Sequence, residues 1–288
     1  MKLAITTIQR NRGKWIVEWL AFHMMVGFER FCVYAHKSTD DMTDKLVKLA
    51  RHYDIRVHRL DNQPQPQLLA YQHAYNAYAA DVDWMAFIDG DEFLQPAQGL
   101  SLAEPLAQFK DAPLSALGAY WVCYGSNGHV ADPDGLALQD YPRHSASDFT
   151  LNRHVKSIVR GGQAIVVQAS HVFQTRDGTF DERLRPITFG WMRELEPSYE
   201  KLRINHYIVQ SYDFYANTKQ FMGAADGNPS LVRPLANFYA SDRNECNDGS
   251  SYRFLVPLKL KVRELQAVID FETVSAAMQP ARTQEVPA

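Results

Sequence analysis

The chain has 288 residues, 46% of them hydrophobic, which suffices for one large α/β domain or two smaller domains with a sizeable core. A formal net charge of −3 provides no basic surface, so a nucleic-acid partner is not expected. The three cysteines are far apart and lack metal-ligand spacing, which favours buried, reduced thiols. We recognise no signal peptide and no apolar stretch of about 20 residues, so we expect a cytoplasmic protein.

The first hundred residues alternate between predicted strands and predicted helices. Apolar runs predict strands at 3–8, 30–34, 55–58 and 84–88. Helical periodicity predicts helices at 14–26 and 68–80. Between them, another helix is predicted to begin after an N-terminal cap at Thr39 or Asp40. This alternation is typical of a mainly parallel sheet with right-handed crossovers. Ligands of such sheets bind beyond the carboxyl ends of the strands, where we expect these residues to gather: Thr6, Thr7, His36, Lys37 and 89–92.

The second half contains shorter predicted elements. Strands are predicted at 115–124, 154–160, 164–168 and 171–173, and helices at 212–224 and 258–278. A loop rich in Gly, Asp and Arg covers 175–186, and another loop covers 240–251. Repeats and low-complexity linkers are missing from the sequence, so we predict a single domain over 1–288. Its expected parts are a nucleotide-binding half (1–100), an acceptor-binding half (101–257), and a C-terminal helix and tail (258–288).

Residues 84–94, WMAFIDGDEFL, carry the strongest chemical signal in the chain. A predicted buried strand ends in three carboxylates, Asp89, Asp91 and Glu92, and Gly90 permits a sharp turn between them. Like charges beside a buried strand end repel one another unless a cation or hydrogen-bond donors neutralise them. Because Mg²⁺ and Mn²⁺ prefer oxygen ligands and bridge to substrate phosphates, the motif predicts a metal–diphosphate site. A solvated acidic turn is the alternative.

Six motifs follow one another in a defined order along the chain. They are EWLAFHMMVG at 18–27, YAHKSTDDMT at 34–43, DGDEF at 89–93, KSIVR at 156–160, HVF at 171–173, and NHY at 205–207 with Ser211 and Lys219 downstream. In this order they resemble the bacterial glycosyltransferase family 2-like group related to glycosyltransferase family 92, over roughly 3–255. Two positions depart from that pattern: Ala35-His36 stands in place of Asp-Asn, and Arg12 in place of an acidic residue.

The resemblance implies a GT-A fold, which is a Rossmann-like α/β fold with a mainly parallel central sheet. It also implies hexose transfer from a nucleotide-diphosphate sugar, with UDP-hexose as donor and a glycan or lipid-linked acceptor in surface polysaccharide synthesis. The implied cofactor is Mn²⁺ or Mg²⁺, with Asp91 as principal ligand, Asp89 at the ribose or at metal-bound water, and His206 completing the site. From its residue type alone, His206 is also compatible with a hydrogen-bonded core histidine. We expect Glu92 to orient the turn.

Further donor contacts are expected from Thr6 and Thr7 near the end of the first strand and from Asn11 after it. Others are expected from Gln72 on the third helix and from Lys156 on the KSIVR strand. An inverting transfer also needs a base that takes the proton of the acceptor hydroxyl. The candidate bases are loop acids, and the sequence does not choose among them: Asp177, Asp181, Glu182 and Asp148. Each of them is equally typical of a solvated loop.

Three kinds of function remain open: a glycosyltransferase, another metal-dependent phosphate-handling enzyme (nucleotidyltransferase or phosphohydrolase), or a non-catalytic carbohydrate-binding protein. The second kind predicts a glycine-rich phosphate loop, but 10–13, RNRG, contains one glycine. The departures at Arg12 and at Ala35-His36 favour the third kind, whereas the intact acidic motif and His206 oppose it.

The segment 258–278 predicts an amphipathic helix, with apolar positions 262, 265, 268 and 269 on one face. Such a face usually packs on its own domain. The alternative is peripheral contact with the inner face of the cytoplasmic membrane, where the basic residues Lys259, Lys261 and Arg263 would meet anionic headgroups.

Overall fold

The computed structural model describes residues 1–278, so the predicted tail at 279–288 lies outside the described residues. The strands are β1 (Leu3–Gln9), β2 (Phe28–Ala35), β3 (Ile55–Arg59), β4 (Trp84–Phe87), β5 (Glu92–Pro96), β6 (Ala116–Cys123), β7 (Arg143–His144), β8 (Val155–Arg160), β9 (Ile165–Val166), β10 (Gln174–Thr175), β11 (Thr179–Phe180), β12 (Pro186–Ile187), β13 (Leu202–His206) and β14 (Cys246–Asn247). The α-helices are α1 (Ile16–Met25), α2 (Met42–Leu49), α3 (Pro66–Tyr78), α4 (Ala103–Ala107), α5 (Ala137–Asp140), α6 (Tyr212–Asn217), α7 (Ala236–Ser241) and α8 (Tyr252–Met278). Short 3₁₀ helices cover Thr150–Arg153, Lys219–Phe221 and Gly249–Ser251.

A ten-stranded sheet organises the molecule, in the order β12-β11-β6-β8-β4-β1-β2-β3, with β13 also paired to β6 and β5 paired to β13. Strand β1 pairs in parallel with β2 and β4, and β2 pairs in parallel with β3. Strand β6 is parallel to β11 and β13, whereas β8 runs antiparallel between β4 and β6. The expected mixed α/β fold with a mainly parallel central sheet is confirmed. The carboxyl ends of β1, β2, β4 and β13 therefore meet at one edge.

The side chains of β4 alternate between two apolar layers, as the pleat of a strand requires. Trp84 and Ala86 belong to the layer that contains α1, α2 and α8, whereas Met85 and Phe87 belong to the layer that contains α3. All four side chains are buried, and so is Ile88. Because this strand is covered on both faces, Asp89 is the first side chain of the segment that reaches the sheet edge.

Several short elements of the second half differ from the prediction. In the described chain, 171–173 does not form a strand, and the local pairing is between β9 and β10. Side-chain hydrogen bonds hold this segment instead, because the Ser157 hydroxyl donates to the His171 carbonyl and His171 Nδ1 donates to the Val155 carbonyl. The helix predicted at 212–224 ends at Asn217.

Helix α8 begins at Tyr252, six residues before the predicted start, and contains Pro257 in its second turn. A proline this close to a helix start removes one backbone hydrogen bond without ending the helix. Four buried side chains pack α8 against α1 and α2: Phe254, Leu258, Leu265 and Ile269. Within 1–278, no helix has both the length and the apolar character needed to cross a bilayer.

Candidate functional site

A cleft of about 350 Å³ opens at the carboxyl edge of the sheet. Its charged lining combines three carboxylates, four basic side chains and three histidines. They are Asp89, Asp91, Asp226, Arg10, Arg12, Lys219, Arg233, His36, His171 and His206. Basic groups outnumber the carboxylates, so the cleft suits a ligand with several negative charges, such as a diphosphate.

Asp89 follows β4 and is held by three donors from two neighbouring elements. Lys156 Nζ, on β8, lies 2.9 Å from Asp89 Oδ2. Gln67 Nε2 and the Tyr71 hydroxyl, both on α3, donate to Oδ1 at 2.7 and 3.3 Å. Burial raises the pKa of Asp89, but the charge and the hydrogen bond of Lys156, together with the nearby His171, hold that pKa below its usual value. Asp89 is therefore ionised and fixed in orientation.

Asp91 lies on the same turn and is paired with two cations. Lys219 Nζ is 2.7 Å and an Arg12 guanidinium nitrogen is 3.3 Å from Asp91 Oδ2. Burial raises the pKa of Asp91, but Lys219 and Arg12 overcome this effect and hold it far below its usual value. Arg12, the departure from the family pattern, is itself buried and also donates to Gln210 at 2.9 Å. The departure thus has a structural role, because it anchors the acidic turn.

Glu92 is fully buried behind the turn. Its Oε2 accepts a hydrogen bond from the Asp89 amide at 2.7 Å and lies 3.8 Å from Lys156 Nζ. Burial raises the pKa of Glu92 well above its usual value. These contacts fit the expectation that Glu92 orients the turn.

His206 ends β13 and faces Asp91, with Nε2 lying 3.7 Å from Asp91 Oδ1. Burial lowers the pKa of His206 to about 3, so the ring is neutral near pH 7, the form that binds a metal. Its buried Nδ1 has no hydrogen-bond partner. The oxygen of Asp91 that faces His206 is not the one held by Lys219 and Arg12. Asp91 Oδ1 and His206 Nε2 are thus available side by side, whereas the buried Nδ1 does not face Asp91.

This donor pair fits a divalent cation that takes its other ligands from a substrate. Among residues 1–278, no three His, Cys, Asp or Glu side chains are arranged to hold an ion by themselves. Mg²⁺ is commonly bound by one or two carboxylates together with phosphate oxygens and water, which agrees with a two-residue set. Asp89 is not added to these two metal ligands, because both of its oxygens already accept hydrogen bonds, from Lys156, Gln67 and Tyr71.

Four of the predicted donor contacts lie away from the cleft lining. Thr6 and Thr7 are fully buried in β1, and Asn11 accepts a hydrogen bond from the Thr39 amide at 2.7 Å. Gln72 accepts from the Val167 amide at 2.9 Å, so it joins α3 to the segment after β9. The cleft is lined instead by their sequence neighbours Gln9, Arg10 and Gln67. Lys156 is fully buried and touches the cleft only through Asp89.

The predicted bases also lie elsewhere. Asp181 accepts from the amides of Arg183 and Arg185, each at 2.9 Å. Glu182 accepts from the amides of Glu200, Lys201 and Leu202 at 2.6, 2.8 and 2.9 Å. Asp177 pairs with Arg176 at 2.9 Å outside the cleft. Asp148 is exposed on a loop.

Sequence reasoning missed several residues that line or support the cleft. Gln67 and Asp226 were not singled out, and Arg12 was noted as a departure without a partner. Lys219 was quoted as part of a motif, but its pairing with Asp91 joins positions 128 apart. Gln67 did offer a signal, because it follows Pro66 in the first turn of the helix that leads to the acidic strand.

Comparison with known proteins places the chain in a family. The model of glycosyltransferase family 92 matches residues 3–229. The chain belongs to glycosyltransferase family 92. A family 92 protein of Ricinus communis is 24% identical over 258 residues, covering 88% of this chain and 41% of the relative. One from Oryza sativa subsp. japonica is 23% identical over 255 residues, covering 87% and 38%. The family placement is confirmed, but these plant relatives do not support the narrower bacterial group.

The chain spans about two fifths of the length of the curated family 92 relatives that it matches. Similar solved structures include S. aureus TarS residues 1–349, with a TM-score of 0.36 and 18% identity over 56% of this chain and 47% of that chain. Another is glucosyl-3-phosphoglycerate synthase from Mycobacterium tuberculosis in complex with Mn²⁺, uridine-diphosphate and phosphoglyceric acid. Its TM-score is 0.30, with 13% identity over 42% of this chain and 43% of that chain.

Proposed function

We propose that this family 92 chain transfers a hexose from a nucleotide-diphosphate sugar, UDP-hexose, to a glycan or lipid-linked acceptor in surface polysaccharide synthesis. One observation supports this most directly: both aspartates of the D-x-D motif and four basic side chains line one cleft at the carboxyl edge of the sheet. Open α/β sheets bind their ligands at this edge.

In this proposal the diphosphate lies against the basic side of the cleft, which is formed by Arg10, Lys219 and Arg233. When the bond between the sugar and the diphosphate breaks, negative charge develops on the leaving oxygen. Fixed cations stabilise that charge without reorganising, because the fold has already placed them. Arg12 is buried and acts indirectly, since it holds Asp91 in position.

We include Mn²⁺ or Mg²⁺ in the proposal, held by Asp91 and His206. When bound, the cation would supply Lewis-acid stabilisation of the leaving diphosphate. Lys219 and Arg12 fix one oxygen of Asp91 and so leave the other turned toward His206. We place Asp89 at the donor ribose, because its carboxylate is fixed at the edge of the cleft and Oδ2, which accepts from Lys156 alone, keeps a lone pair for a ribose hydroxyl.

Nucleotide release from a panel of donor sugars tests the proposal, with Mn²⁺ and with EDTA. We expect UDP to be released from a UDP-hexose, faster when an acceptor glycan is present, and release to fall when EDTA is added. Release of UMP and hexose 1-phosphate from the same donors would instead indicate a phosphohydrolase. Donor binding without any release, for every donor tested, would indicate a carbohydrate-binding protein and contradict the proposal.

A further inference from the structure

The acids chosen from sequence lie outside the cleft: Asp181, Glu182 and Asp177 are engaged elsewhere in the fold, and Asp148 is exposed on a loop. The described chain brings three carboxylates to the cleft, namely Asp89, Asp91 and Asp226. Lys156 neutralises Asp89, and Lys219 with Arg12 neutralises Asp91. Asp226 makes no salt bridge within 1–278 and is partly exposed. It is therefore the carboxylate of the cleft that can accept a proton without breaking an ion pair.

One hydrogen bond fixes the orientation of Asp226. The Ser170 hydroxyl donates to Asp226 Oδ2 at 2.5 Å, and Ser170 is buried. Asp226 Oδ1 makes no hydrogen bond in the described structure, so one oxygen is held and the other is available to a ligand. A carboxylate with one fixed and one open oxygen is the arrangement that a general base needs.

Two short connections fix Asp226 relative to the acidic motif. On one side, the Ala225 carbonyl accepts from the Gln67 amide at 3.1 Å, and the Gln67 side chain donates to Asp89 at 2.7 Å. On the other side, Ser170 precedes His171, whose Nδ1 donates to the Val155 carbonyl at 2.8 Å. Val155 in turn precedes Lys156, the partner of Asp89. Asp226 is thus positioned by the same residues that position the proposed donor site.

His171 is another proton acceptor in this part of the cleft, and its surroundings oppose the role of base. Its Nδ1–H is committed to the Val155 carbonyl, so a second proton would have to bind at Nε2. The ring is mostly buried and lies near Lys156, and both burial and that positive charge disfavour an imidazolium. His171 is better suited to accept a hydrogen bond from a sugar hydroxyl while remaining neutral.

We propose that Asp226 is the catalytic base, an inference that rests on the proposed glycosyltransferase function and an inverting reaction. The acceptor oxygen forms a bond to the anomeric carbon of the donor sugar. The bond from that carbon to the diphosphate oxygen breaks, and its electron pair leaves with the nucleoside diphosphate. The hydroxyl proton passes to Asp226 Oδ1. Ser170 is a positioning residue, because it holds the other oxygen.

The test measures nucleotide release from UDP-galactose and UDP-glucose, with water as the acceptor, for wild type and variants. We expect Asp226→Asn to lower kcat by about 10²–10⁴-fold. The dissociation constant of UDP with Mn²⁺, measured by calorimetry, should stay within about twofold, because the variant leaves the diphosphate contacts in place. Asp226→Glu should recover part of the rate, and Asp134→Asn, a fully exposed acid, should match wild type.

The pH profile adds a readout that a structural role would not change. In wild type kcat should rise with pH as the base loses its proton, and in Asp226→Asn this rise should disappear. Normal kcat in Asp226→Asn, or a loss in Asp177→Asn instead, would overturn the assignment while leaving the glycosyltransferase proposal intact. Absence of release in wild type, for both donors, would overturn the proposed function and this inference with it.

Discussion

At the residue scale, the cleft is defined by how its charges are paired. The motifs predict three charged side chains at the sheet edge, namely Asp89, Asp91 and Lys156. The structure brings these three side chains together. Their neutralising partners could not be read from the sequence, because Arg12 and Lys219 reach Asp91 from opposite ends of the chain. Spacing rules describe neighbours along one element, whereas these pairs depend on where separate elements cross. Tertiary structure was needed to find them.

The pairing of Asp91 leads to a prediction about its charge. Replacing Asp91 with Asn preserves the size of the side chain but removes the carboxylate that faces His206 and holds Lys219. We expect nucleotide release to fall by about 10²–10³-fold, a range typical of the loss of one electrostatic contact to the transition state. Activity assays with increasing Mn²⁺ should show that excess metal does not restore the rate. Asp134→Asn is the control, and an Asp91→Asn enzyme with normal, EDTA-sensitive turnover would remove Asp91 from the site.

The candidate bases show why a catalytic base could not be identified from sequence. Asp181 and Glu182 were candidate bases as loop acids, yet both bind backbone amides. In the sequence, an acidic residue that stabilises a loop through backbone hydrogen bonds looks the same as an acidic residue that acts as a catalytic base. Asp226 was overlooked because its loop, 223–227, shows no periodicity and no motif. The contact that distinguishes it, with Ser170, joins positions 56 apart.

At the element scale, the long elements were predictable and the short ones were not. Strands β1 to β4 and helices α1 to α3 agree with the predicted alternation, because each buries a continuous apolar face. The two-residue strands β9 to β12 depend on their partners in the sheet rather than on their own composition. Helix α8 begins at Tyr252, whereas the predicted helix began at 258, directly after Pro257.

Helix α8 shows which of its apolar residues support the fold. Leu265 is fully buried against the core, whereas Leu260 is 61% exposed on the opposite side. We expect Leu265→Ala to lower the free energy of unfolding by about 2–5 kcal/mol, through lost burial and the resulting cavity. Leu260→Ala should change it by less than about 0.5 kcal/mol. Urea denaturation of both variants checks this, and equal losses would show that α8 does not pack as described.

The same helix carries an exposed apolar stripe, formed by Val256, Leu260, Phe271 and Val274. These positions share one side of the helix, because their spacing follows its 3.6-residue turn. The buried face of α8 is committed to α1 and α2. Peripheral membrane contact therefore stays a prediction, and it concerns the exposed stripe rather than the face that the sequence pattern singled out.

At the scale of the whole molecule, Glu18 connects the two predicted halves of the domain. It lies on α1, in the EW motif, and accepts hydrogen bonds from the amides of Ala137 and Leu138 at 2.8 and 3.3 Å. Burial raises the pKa of Glu18 from 4.5 to about 7, although both amide hydrogen bonds act in the opposite direction. The carboxyl that joins the two predicted halves is thus protonated in the folded protein at mildly acidic pH.

This shift predicts how the stability of the molecule depends on pH. Between the unfolded pKa of 4.5 and the folded pKa of about 7, the folded state holds a proton on Glu18 that the unfolded state has lost. Stability therefore falls as pH rises through this window, by about 2–3 kcal/mol between pH 5 and 8. Glu18→Gln removes the titrating group. Urea denaturation should therefore show the free energy of unfolding of wild type falling by this amount between pH 5 and 8, relative to that of the variant. Parallel curves for the two proteins would mean that Glu18 titrates alike in the folded and unfolded chains, and that its charge does not couple the two halves.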